Sequence, residues 1–94
     1  MNDEEAKMVL DDVAAEVRSQ PYRTLVARYL HESDERTVVA ESGVQYQVEV
    51  QAFWDGSQPG NLRVIIAIDD GGWRAFSPLS TDFIVASDGS FVGE

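Results

Sequence analysis

A chain of 94 residues, 44% of them hydrophobic, has room for one core and must place nearly all its apolar side chains in it. With no cysteine and one histidine, disulfides and thiol chemistry are excluded, and a zinc tetrad of the usual ligands nearly so. Seventeen acidic residues against seven basic ones give a formal charge of −10, which disfavours nucleic acid and anionic membrane and suits either a basic partner or plain solubility.

Met1 leads directly into Asn2-Asp3-Glu4-Glu5, with no charged-then-apolar signal pattern. The longest apolar run, residues 64–68, is far too short to span a bilayer. The expectation is a soluble cytoplasmic protein of one domain, 1–94, with helices over about 3–32 and an antiparallel sheet over about 37–93.

Residues 2–19 read as helix: Asn2 is a capping residue, Glu5 stands at capping-box spacing, and acids crowd the first turn. Ala6, Val9, Leu10, Val13, Ala14 and Val17 recur at three- and four-residue steps and make one apolar stripe. Pro21 interrupts, and residues 22–31 carry a second stripe of Tyr22, Leu25, Val26, Tyr29 and Leu30, with Ser19 or Gln20 as its cap. The charged segment 32–36 reads as a linker.

From Thr37 the apolar period falls from about 3.6 to about 2. Residues 37–40 form a short strand that Ser42-Gly43 turns back. Val44, Tyr46, Val48, Val50, Ala52 and Trp54 then share one face of a long strand, and Leu62, Val64, Ile66 and Ile68 share a face of the next. Asp70-Gly71 matches a two-residue hairpin turn, which would set Ile68 opposite Trp73 and Ile66 opposite Ala75. Residues 82–86 and Phe91-Val92 complete a meander of about four or five strands. The expected architecture is α+β, two N-terminal helices on one face of an antiparallel β-meander, with Val48, Val50, Val64 and Ile66 beneath them.

Two surfaces of that arrangement are candidate sites. The sheet face away from the helices would carry Phe53, Ile65, Ala67, Arg74 and Phe76 among polar neighbours, an apolar patch that either the segment 83–92 or a loop folds over, or a second copy or partner covers. Trp54 and Trp73 are core anchors by default, and a position for Trp54 on the rim of the loop 55–61 would make it a binding hot spot. The turns would gather Glu41, Asp69, Asp70 and Asp88 at one end, where carboxylates can hold a hard cation, although Asp is also a favoured turn residue and no Asp-x-Asp-x-Asp-Gly loop is present. His31 ends a helix with no nucleophile suggested beside it, none of the glycine pairs opens a helix after a strand, and no serine sits in a nucleophile elbow. No cofactor and no catalytic set is expected.

The segments NLRVIIAIDDGGWRAF and PLSTDFIVASDGSFVGE resemble a family of small uncharacterised prokaryotic proteins, over residues 43–94. That resemblance implies no activity and no functional residue. The residues themselves favour a non-enzymatic acidic interaction domain, of the inhibitor or immunity type, for a basic protein. The alternatives are a small-molecule or divalent-metal binder using the acidic turns, and a structural homodimer.

Overall fold

Asn2 starts the first helix: its side-chain oxygen accepts the backbone N–H of Glu5 at 3.1 Å, and Asp3, Glu4 and Glu5 occupy the first turn, where the helix dipole favours negative charge. The computed structural model describes residues 2–71 and 79–94. Within them the elements are α1 (Asp3–Arg18), α2 (Tyr22–Tyr29), β1 (Asp34–Val39), β2 (Gln45–Asp55), β3 (Asn61–Asp69) and β4 (Leu79–Val85). The strands form one antiparallel sheet in the order β1-β2-β3-β4. Helix α1 packs on β3 and β4, and α2 on β2 and β3, so the fold is α+β with the helices on one sheet face.

The buried face is the one that strand alternation picks out. Tyr46, Val48, Val50 and Ala52 from β2, Leu62, Val64, Ile66 and Ile68 from β3, and Phe83 and Val85 from β4 are buried against Ala6, Val9, Leu10, Val13 and Val17 of α1 and Leu25 and Tyr29 of α2. No charged residue is buried among them. Fully burying one such aliphatic side chain stabilises the fold by about 1.5–3 kcal/mol, so this single layer supplies most of the driving force.

Four expectations are corrected. The segment 32–36 is not all linker: β1 begins at Asp34, paired with Val50. Charged residues are tolerated there because β1 lies at a sheet edge, and Arg36 turns inward to bond Asp34 at 2.8 Å and Glu16 at 3.2 Å. Helix α2 has Pro21 itself at its N-cap position, with no side-chain cap. The positions beside Ile66 and Ile68 are taken by Thr81 and Leu79 of β4, not by Ala75 and Trp73. Residues 73–76, with Trp73, Arg74 and Phe76, lie outside the described residues.

The fourth correction concerns the C-terminal segment. After β4, Asp88 and Gly89 turn the chain, the Val92 N–H reaches the Ile84 carbonyl at 2.8 Å, and Phe91 meets Phe83 edge to face at 5.7 Å. Phe83 belongs to the buried face. Phe91 therefore extends the core on the helix side and does not cover the opposite face of the sheet. The Arg18 guanidinium lies 4.1 Å from the Phe91 ring centre and bonds the Glu94 carboxylate, which fixes the last turn of α1 to this segment.

Candidate functional site

The acidic turns divide between the two ends of the sheet. Val39 pairs with Gln45 and Asp69 with Gln47, so Glu41, Asp69 and Asp70 follow strands that finish at one end. Val85 pairs with Leu62, which carries Asp88 to the other end. The expected gathering of all four carboxylates does not form, because β4 directly follows β3 in the sheet and each strand reverses the direction of travel. Asp69 and Asp88 shape their own turns: Asp69 accepts the Gly71 N–H at 2.7 Å, and Asp88 accepts the Ser90 N–H at 2.8 Å. The Ser90 hydroxyl, with that N–H, holds the Asp88 carboxyl below the usual range. Among the described residues, no three His, Asp or Glu side chains converge as metal ligands.

The open face of the sheet carries the expected apolar groups in a broken pattern. Phe53 is 48% exposed and sits diagonally from Ile65, since Phe53 pairs with Arg63 and Gln51 with Ile65. Arg63 stands between Phe53 and Ile84 and pairs with Asp82 and Asp55. Its ion pairs divide the patch into separate side chains. Ala67 lies further along beside Glu49 and Ser80. Trp54 is half-buried against the core, at the end of β2 beside the 55–61 loop, and is not an exposed anchor. His31 is exposed just beyond α2, beside a shallow 250 Å³ hollow that Phe53 also lines.

A larger concavity lies elsewhere. A groove of about 510 Å³ runs between the first three turns of α1 and the end of β1. Met8, Val9, Val13, Val38, Val39 and Ala40 supply its apolar surface. Met8 and Val39 are 68% and 62% exposed, the two most exposed large hydrophobic side chains among the described residues. Glu4, Glu5, Asp12 and Glu41 supply the carboxylates, and among the described residues no Lys, Arg or His lines the groove.

Glu5 fixes one end of the groove. It does not close the capping box; its carboxylate turns to the β1–β2 hairpin and accepts the Ser42 hydroxyl at 2.8 Å and the Tyr46 hydroxyl at 2.9 Å. Burial pushes the Tyr46 hydroxyl pKa up, and the adjacent Glu5 carboxylate adds to the rise. This knot ties the start of α1 over the hairpin and sets the width of the groove there.

Sequence reasoning passed over Met8, Asp12 and the outward-facing Val39. Two signals mark the apolar pair. Met8 is an apolar residue off the α1 stripe, and Val38-Val39 are adjacent apolar residues in an alternating strand, so one of them must face away from the core.

Among known protein families, characterised proteins and solved structures, none matches this chain. Among the described residues, no helix is long and apolar enough to cross a membrane.

Proposed function

We propose that the protein is a non-enzymatic interaction domain that binds a basic protein partner through the groove between α1 and β1. One observation carries this reading: among the described residues, the same groove combines the two most exposed large apolar residues, Met8 and Val39, with four carboxylates and no cationic lining residue. Exposed apolar groups supply contact area, and the carboxylates set the sign of the partner and speed its approach. The formal charge of −10 extends that field beyond the groove. An inhibitor or immunity-type protein for a basic target fits this chemistry.

The test is binding of identified, purified partners. Basic proteins retained from native lysate at low salt are purified and bound again to wild type and to the double variant Glu4→Lys, Asp12→Lys. The expected result is binding that weakens with salt and is lost in the variant. Partners that bind both forms equally, or no salt-sensitive partner at all, would sink the proposal. Sedimentation of the protein alone separates this reading from a homodimer joined through Phe53 and its neighbours.

A further inference from the structure

Val38 and Val39 point to opposite faces of β1, yet both line the groove. A groove that touches both is not confined to one row of side chains and meets the main chain of β1; of the residues whose main chain faces outward, Val39 lines it, and Glu35 and Thr37 continue the same edge. Among the described residues, β1 ends the sheet and no strand lies beyond it.

The hydrogen-bond phase of that edge is fixed by the hairpin. The Ala40 N–H donates to the Val44 carbonyl at 2.9 Å, and pairing then runs Val38 with Tyr46 and Arg36 with Val48. Antiparallel ladders alternate bonded and non-bonded pairs. The N–H and C=O groups of Glu35, Thr37 and Val39 therefore point away from β2, and all three residues are exposed.

We propose that the partner's segment enters as an extended strand added to the β1 edge at Glu35, Thr37 and Val39, with alternating apolar and basic side chains. This rests on the groove being the binding surface. Main-chain bonds to the three open residues give affinity, and alternate side chains give specificity. Apolar side chains on the helix side of the added strand meet Met8 and Val9, within reach of the Glu4 and Asp12 carboxylates. Basic side chains on the other side meet Glu35, which stands directly opposite Glu49 across the β1–β2 pair. Like charges directly opposite repel, so a cation beside Glu35 relieves a repulsion already built into the sheet. A second copy of the chain is a poor occupant, because it brings another formal charge of −10.

The experiment uses two synthetic peptides of equal positive charge, titrated into isotope-labelled protein. One alternates valine and lysine and favours an extended chain. The other carries leucine and lysine at helical spacing. The expected result is that the alternating peptide shifts Met8 and Val9 and slows amide exchange at Glu35, Thr37 and Val39 by about tenfold or more. Methylating the backbone nitrogens along one edge of that peptide should weaken binding by about tenfold or more, and Thr37→Pro should do the same, since proline is tolerated on an outward edge. Binding at Met8 and Val9 without slowed exchange at the three amides, binding indifferent to methylation, or tighter binding of the helical peptide would overturn strand addition and leave the groove reading standing. Failure of both peptides to shift groove residues would overturn both. Slowed exchange at these amides without peptide, together with a dimer's sedimentation, would assign the edge to a second copy and overturn the proposal.

Discussion

Glu5 joins parts of the chain that are far apart in sequence, reaching Ser42 across 37 positions and Tyr46 across 41. Tyr46→Phe removes the buried hydroxyl and leaves Glu5 with Ser42. The expected loss is about 1 kcal/mol, read as a lower urea midpoint with unchanged slope. The raised Tyr46 pKa has a definite sign. The unfolded tyrosine ionises near pH 10 while the folded one keeps its proton, so this contribution is fully present below about pH 10 and lost as pH rises through the folded value. Tyrosinate absorbance should therefore show a late-titrating tyrosine that vanishes in Tyr46→Phe. At the other end of α1, Arg18→Gln removes the stacking on Phe91 and should cost about 0.5–1 kcal/mol by the same denaturation. Arg18 holds the Glu94 carboxyl below its usual pKa, so that ion pair helps above the unfolded carboxylate pKa and is lost as pH falls through the folded one. The helix-start chemistry of Asn2 is legible in the sequence because it is local. The choice of Glu5 for the hairpin is not, because it depends on where α1 crosses the sheet.

At the level of elements, periodic pattern and burial agree where one face meets the core. The α1 stripe and the alternation of β2 and β3 reappear as buried residues, except that Ala14 and Trp54 are half-buried and Val44, just before β2, is exposed. Pattern fails where an element has no clean apolar face. In β1, Asp34 and Arg36 occupy inward positions that an apolar template rejects, and their ion pair at 2.8 Å makes those positions tolerable. The Asp70-Gly71 signal is local and misleads: Asp70 lacks the positive φ that a two-residue type I′ turn needs, and the strand beside β3 is β4, which brings Phe83 and Val85 to the core. Two substitutions separate the sheet faces. Ile66→Ala, at a fully buried position, should cost about 2–5 kcal/mol. Phe53→Ser, on the open face, should change stability by no more than about 0.5 kcal/mol. A large cost at Phe53 would mean that this face is covered.

For the molecule as a whole, charge is a property of association more than of fold. With 17 acids and 7 basic residues, a basic partner should bind more weakly as salt rises, chiefly through slower association. The slope of affinity against salt should flatten in Glu4→Lys, Asp12→Lys if the groove dominates the encounter. The sequence states this charge balance outright, and with it the expectation of a basic partner. It does not state where the carboxylates sit. Asp88 went to the opposite end because the number of strands between two turns decides their ends. The groove is not legible in the sequence because its walls come from α1 and β1, which no local pattern relates.

Helix α1 precedes β3 and β4 by some forty residues or more, yet it packs on both. During synthesis its apolar stripe stays uncovered until β3 has emerged, and partly uncovered until β4 follows. A nascent chain thus presents part of an acidic amphipathic helix until both strands are made, the kind of transiently exposed apolar surface that chaperones bind. A fragment ending before Leu79 lacks β4 and should leave part of that stripe uncovered, binding a hydrophobic dye more strongly than the full 94 residues do.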